Sequence, residues 1–384
     1  MRRVIILFFI LGILSLLYYD FFSTSQQEQF ANLSASFLKG QLYFSSPAFD
    51  SATKDGRSYW PLGPFPAILL LPFVYIFNAM KQGYLLFFLN LLNIALLLKV
   101  SKHLTGNITT SLVVSFAIIF STNYLGIALV PWSWYFGQVV GFSLILLALE
   151  GYFFNRSWLL IGIYLGLAYA TRVSLILTSV FFILNLLYSG ISKTKKIQKI
   201  ILLFIPIILA ILVVGLYNYA RFGDAFETGY SLQPLGWGWN KQDFQIWSFK
   251  YIPTHLYTLF IKMPGSINIP ETNVLQFPYL RVDGSGFSIL LSSFIFIWIL
   301  FSDWKNLTVK IISITCAVII FAISGSFTPG GWQYGYRYAI DFYPMLFLLL
   351  LHVFKKNVSY KFLTLTIFGF LMNLYFIHMI FYPK

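Results

Sequence analysis

The chain has 384 residues, of which 58% are hydrophobic, 20% aromatic and only 10% charged, with 26 Lys and Arg against 12 Asp and Glu, a net charge of +14. A soluble domain carries about 25% charged residues, so a water-soluble fold is excluded, and the continuous apolar runs exclude an outer-membrane barrel, whose strands alternate. A single cysteine, Cys316, excludes an internal disulfide, and His103, His255, His352 and His378 lie too far apart for a ligand pair at helical spacing.

Runs of this length and hydropathy describe an all-α polytopic membrane protein. Arg2 and Arg3 precede the first run, Val4–Tyr19, and no small-residue cleavage site follows it directly, so it reads as a first membrane helix with its N-terminus in the cytoplasm. Lysine clusters at Lys99/Lys102, Lys193/Lys195/Lys196/Lys199, Lys305/Lys310 and Lys355/Lys356/Lys361 mark the remaining cytoplasmic turns.

The chain must cross an odd number of times between the first helix and Lys99. Residues 64–80 contain Pro64, Pro66 and Pro72 and are therefore read as a re-entrant or interfacial piece that does not span. The stretch Trp158–Tyr188 is read as two short helices meeting at Arg172 on the outer side, because a single span would leave that guanidinium near mid-membrane at about 2.5–3.5 kcal/mol.

About eleven crossings result, near 4–19, 84–98, 108–129, 138–154, 158–170, 173–188, 200–217, 287–301, 309–324, 341–354 and 361–380. This map places 14 Lys and Arg against Glu150 and Asp303 inside, and 12 against 10 acids outside. Orientation in the membrane accounts for the basic excess, and no nucleic acid is needed as a partner. One integral-membrane domain, 1–384, thus carries two long outer loops, 20–63 and 218–286, against typical connections of about 4–6 residues. Within them, Gln26–Tyr43 and Ile252–Met263 have the pattern of interfacial helices.

The outer segments hold the residues able to do chemistry. Asp20, at the outer end of the first helix, is either a boundary charge or a carboxylate at the edge of a low-dielectric cavity, suited to a general base. Asp50 and Asp55 follow in the first loop, where Asp55-Gly56 is also a strong turn signal. The segment Gly330–Asp341 brings Arg337 together with Tyr334, Tyr336 and Tyr338 at the start of a helix. A planar guanidinium among phenols suits a phosphate, and the alternative is an Arg337–Asp341 pair at i, i+4. Asn218–Tyr230 offers Arg221, Asp224, Glu227 and Tyr230 for sugar hydroxyls, or is a solvated helix end stopped at Gly223. Arg57, Tyr59, Trp60, Gln138 and Arg172 complete the set on the outer side.

The order of these motifs resembles the GT-C class of integral-membrane glycosyltransferases, in particular the branch of protein O-mannosyltransferases and lipid A aminoarabinose transferases. The matching residues are Asp20, Tyr59–Pro66, Gly166-Leu167-Ala168 leading to Thr171-Arg172, Asn218–Gly223 and Gly335–Tyr338. The resemblance implies transfer of a sugar from a polyprenyl-phosphate donor to a glycan, lipid or protein hydroxyl, on the outer face of a plasma (inner) membrane, during cell-envelope glycoconjugate synthesis. Asp20 then matches the base, and Arg337, helped by Arg221, Arg172, Tyr336 and Tyr338, the donor-phosphate site. Asp50 and Asp55 are alternative bases, and Arg57, Tyr59, Trp60, Asp224, Glu227, Tyr230 and Gln138 are candidate sugar or acceptor ligands.

This chain departs from those relatives at Val130–Gln138, which lacks their second outer acidic residue. No cofactor is expected, and participation of a divalent metal stays open. The rival readings are a lipid-linked oligosaccharide flippase or other transporter, which should show internal repeats and mid-membrane charges, and a polysaccharide polymerase or ligase, which needs a diphosphate donor.

Overall fold

The structure, a computed structural model, describes residues 1–22, 27–233, 245–268, 274–355 and 357–382. Among the described residues, seven helices are long and apolar enough to cross a membrane: α1 (Arg2–Phe22), α4 (Gln82–Thr105), α7 (Ser133–Phe153), α10 (Lys193–Phe222), α13 (Leu307–Ser324), the segment Arg337–Phe354 and α15 (Tyr360–Phe381). Shorter helices fill in between: α2 (Gln29–Leu38), α3 (Phe65–Phe77), α5 (Ile108–Phe120), α6 (Tyr124–Ala128), α8 (Trp158–Tyr169), α9 (Ser179–Leu187), α11 (Ile252–Phe260) and α12 (Ile289–Ser292). The chain is an all-α membrane protein by the length and apolarity of these helices, and its lipid-facing signature is plain on α10, where Ile201, Ile205, Leu209, Leu212 and Leu216 are all more than half exposed.

The expected elements map onto this bundle with informative differences. Residues 108–129 divide into α5 and α6, because the buried Ser121-Thr122-Asn123 step bonds elsewhere: Ser121 donates to the Thr366 carbonyl and Asn123 to the Tyr336 carbonyl. Residues 287–301 form α12 and a 3₁₀ segment, Phe294–Phe301, with the break at Ser293, whose hydroxyl accepts from the Asn123 amide. The segment expected as a crossing near 341–354 is a 3₁₀ turn, Arg337–Phe342, that continues as α14 (Tyr343–Phe354). Residues 64–80 are helical as α3, with Pro64 and Pro66 at its start, where missing amides do no harm, and Pro72 inside.

The two long loops, 20–63 and 218–286, each contain an antiparallel hairpin that the sequence pattern does not announce: β1 (Ala52–Lys54) with β2 (Arg57–Tyr59), and β3 (Gly265–Asn268) with β4 (Leu275–Arg281). The β1–β2 turn is Asp55-Gly56, both at positive φ of 50° and 72°, as a two-residue hairpin turn with the right twist demands.

Packing positions the end of the bundle that carries Arg172 and Arg337. α8 lies along α10 through Gly162 and Gly166, where a Cβ would come to 2.3 Å from the Leu203 carbonyl and 2.8 Å from that of Pro206. Small residues four apart allow this backbone approach, the usual device for joining helices in a bilayer. α8 in turn packs on α7, and the 3₁₀ segment Val173–Thr178 that follows it meets α13 and the Arg337–Phe342 turn, so that Arg172 and Arg337 converge.

Candidate functional site

Arg172, at the turn after α8, donates from Nε and Nη2 to the two oxygens of Asp341, both at 3.0 Å, and Ser174 Oγ donates to the same carboxylate at 2.6 Å. Asp341 is 3% exposed. The expected alternative, an Arg337–Asp341 pair, is corrected by the local geometry. In an α-helix residues four apart share a face, but at the 3.0 residues per turn of a 3₁₀ segment they diverge by about 120°. Asp341 therefore turns to Arg172, and Arg337 to the other side.

Arg337 is 8% exposed, and among the described residues its Nε has no acceptor and its guanidinium no carboxylate within ion-pair distance. Its Cζ lies 5.1 Å from the centre of the Tyr338 ring and 5.5 Å from that of Tyr135. Tyr338 is shared, with the Arg172 guanidinium 5.4 Å from the same ring. The Arg337 backbone is held from both sides: Gln138 Nε2 donates to its carbonyl at 2.9 Å, and its amide donates to Gln333 Oε1 at 3.1 Å. Gln138 thus serves as a brace for the arginine.

Asp50 joins this group from the first loop. Its backbone is at positive φ (57°), and its carboxylate accepts from Trp134 Nε1 and Gln233 Nε2, each at 2.9 Å. Asp50 is exposed by its surface, while Trp134 and Gln233 each bond one oxygen of its carboxylate and protein partly surrounds it. That desolvation raises its pKa above the usual carboxylate range, against the hydrogen bond from Trp134, the positive field of Arg337 and the bond from Gln233. Tyr230 closes the group. Burial and the neighbouring Tyr338 phenol raise its pKa, with Arg172 and Arg337 opposing.

A third layer supports the turn. Tyr336 is fully buried, and its hydroxyl meets His255 Nδ1 at 2.6 Å while His255 Nε2 meets the Ser326 carbonyl at 2.9 Å. A carbonyl only accepts, so Nε2 carries the proton, Nδ1 is the acceptor, and the Tyr336 hydroxyl donates. His255 is fully buried, and desolvation lowers its pKa to about 4.

Not all the expected residues meet here. Asp20, 1% exposed, sits inside the bundle beside Asn90 and Tyr124, where neither carboxylate oxygen receives a well-formed hydrogen bond. Asp55 is exposed at the hairpin turn, and its role is that of the turn. Arg221 forms a separate cluster: its two terminal nitrogens donate to the Trp60 carbonyl and to Asn218 Oδ1, each at 2.6 Å, and its guanidinium stacks on Tyr217 at 3.9 Å, while its buried Nε has no acceptor among the described residues. Tyr59 packs on Phe222 beneath it, and the Trp60 indole is buried between Phe30, Phe44 and Trp134.

Arg57 covers Tyr43 at 4.6 Å on the exposed strand. Asp224 accepts from the Phe226 amide, and Glu227 from the Gly229 amide and the Ser231 hydroxyl, as local loop bonds. Gly223 ends α10 at φ 72°, the stop expected of it. The residues sequence reasoning missed are Trp134, Tyr135, Ser174, Gln233, His255 and Gln333, which carry no local motif and are recruited by contacts from distant segments. Among the described residues no three His, Cys, Asp or Glu side chains gather closely enough to share a metal.

Comparison with known protein families, with curated proteins and with solved structures finds no match for this chain.

Proposed function

We propose that the chain is a glycosyltransferase that moves a sugar from a polyprenyl-monophosphate donor to an acceptor hydroxyl at the outer face of the membrane. The observation that carries this reading is the buried Arg337 side chain beside Tyr135 and Tyr338, whose Nε has no acceptor and whose guanidinium has no carboxylate within ion-pair distance among the described residues. A desolvated cation without a counter-ion is expensive, and a bidentate anion such as a phosphate is the natural partner for its free fork. The Asp50 carboxylate lies within reach of its field, with a raised pKa that suits a general base. The sidedness follows from the lysine clusters, which the positive-inside rule places in the cytoplasm.

In this scheme Asp50 takes the proton from the acceptor hydroxyl as its oxygen bonds to the anomeric carbon. The carbon–oxygen bond to the phosphate breaks, and its electron pair stays on the phosphate, whose charge Arg337 stabilises. One such displacement inverts the anomeric configuration. Arg172 is neutralised by Asp341 and acts by fixing Tyr338 and the turn. Asp20 has no role in proton transfer, because its neighbours are Asn90 and Tyr124 and not the arginines.

The test is lipid mass spectrometry on cells lacking the protein, complemented with wild type, Arg337→Gln or Asp50→Asn. A polyprenyl-monophosphate sugar should accumulate without the protein, clear with wild type and persist with either variant. If monophosphate sugars are unchanged while a diphosphate-linked oligosaccharide builds up, the chain is instead a flippase or polymerase.

A further inference from the structure

A second site lies at the other end of α8, about 18 Å from the arginine cluster at 1.5 Å per residue. A cavity of about 520 Å³ opens there between the C-terminal ends of α7 and α9 and the N-terminal ends of α8 and α10. Tyr152, Trp158, Asn185 and Ser189 line it, and its charged residues are Arg156 and Lys199, with no carboxylate on the wall. Glu150, nearby in sequence, is engaged by Lys99 at 2.6 Å. Lys199 Nζ sits 5.5 Å from the Trp158 ring, and Arg156 has no ion-pair partner among the described residues.

The charge placement is unfavourable without a ligand. Lys193, Lys195, Lys196 and Lys199 occupy the first two turns of α10, where the helix dipole repels cations, and no acid balances them in the first turn. The same location, beside the first turn of α8, favours an anion. The elements that form the cavity also carry exposed apolar side chains: Leu159 on α8, Leu187 and Tyr188 at the end of α9, and Ile197 and Ile201 on α10. A positive, aromatic-edged cavity between elements with exposed aliphatic side chains matches a molecule with an anionic head and hydrocarbon tails. Basic pockets between membrane helices on the lysine-rich side bind such headgroups.

We propose that this cavity binds the phosphodiester headgroup of an anionic membrane lipid, with Arg156 and Lys199 on the phosphate and Trp158 against the head, the acyl chains lying along the exposed face of α10. This site is separate from the arginine cluster, and it stands or falls independently of the transferase reading.

The full chain, purified in a neutral detergent, is incubated with phosphatidylglycerol, phosphatidylcholine or inorganic phosphate, and retained ligand is counted by native mass spectrometry. Wild type should retain phosphatidylglycerol over phosphatidylcholine by about thirtyfold, the effect of two cations near a headgroup. The double variant Arg156→Gln/Lys199→Gln should lose that preference while keeping its thermal unfolding midpoint. Trp158→Phe, with both cations in place, should weaken retention severalfold. No preference in wild type, or an equal preference in the double variant, overturns the proposal. Retention of inorganic phosphate as strong as that of the lipid would also overturn it, by assigning the cavity to a free anion.

Discussion

The Arg172–Asp341 pair offers the sharpest test of how its end of the bundle is held together. Both partners are shielded, with side-chain exposures of 15% and 2%, the geometry is bidentate at 3.0 Å, and Ser174 completes the carboxylate's shell. Asp341→Asn keeps the shape but removes the charge, leaving a buried guanidinium without its counter-ion. Breaking one side of such a pair costs about 3–5 kcal/mol, roughly a 150-fold to 4,000-fold loss in the ratio of folded to unfolded protein at 1.4 kcal/mol per decade. Replacing both partners by apolar residues of similar size, Arg172→Met with Asp341→Leu, removes the unpaired charge and should recover most of that loss. The assay is built into the chain. Its sole cysteine, Cys316, is buried in α13, so a thiol-reactive dye reports unfolding in a detergent titration. If Asp341→Asn unfolds at the wild-type midpoint, or if the double variant is as unstable as the sum of the singles, the pair does not organise this end of the bundle.

The remaining predictions concern the base, the buried histidine and the turn. Transfer should rise with pH through the raised pKa of Asp50, because only the carboxylate accepts a proton, and Asp50→Asn should lower the rate by about 10²- to 10⁴-fold and flatten that limb. Asp20→Asn should leave transfer within a few fold, since Asp20 lies beside Asn90 and Tyr124 and away from the arginines; abolished transfer would return the base to Asp20. His255 is neutral when folded, with a pKa of about 4 against 6.5 when exposed, so it contributes stability that is present above pH 6.5 and lost as pH falls toward 4. That loss is about 3 kcal/mol at most, and His255→Phe should remove this pH dependence in a dye-unfolding series. Gly330→Ala should displace Arg337 and weaken donor turnover. Its φ of +91° strains any side chain, and a Cβ would stand 2.9 Å from Gln333 Oε1 and 3.2 Å from Arg337 Nε; a variant with wild-type turnover would show that the turn gives way freely.

The apolar runs made most of the helices legible, because membrane helices are written in hydropathy that the bilayer demands. The Arg337 turn was legible in part: the segment was found, but the partner of Asp341 was not. Hydropathy carries no signal for a switch from α to 3₁₀ winding, and Arg172 lies 169 residues away. Asp55-Gly56 signalled its turn correctly, since positive φ at two successive residues has few sequence solutions. Asp20 and Asp50 show the limit in the other direction. Both are outer carboxylates in sequence, and only the packing of Trp134 and Gln233 distinguishes the one beside the arginines from the one sealed among α1, α4 and α6.

The arrangement of charge also bears on which phosphate the site can hold. Arg172 spends its fork on Asp341, and Arg221 gives its two terminal nitrogens to the Trp60 carbonyl and Asn218, with only its Nε left without an acceptor among the described residues. Arg337 is left to meet a ligand, with one guanidinium fork, the Tyr135 and Tyr338 faces around it and the Asp50 carboxylate nearby. A single fork matches the two oxygens of one phosphate. A diphosphate brings a second anionic group, which on the proposed transferase reading the nearby Asp50 carboxylate would repel. On that reading the carboxylate proposed to serve the acceptor hydroxyl disfavours a diphosphate donor, and the pairing of Arg172 with Asp341 sustains the preference by keeping the Arg172 charge engaged.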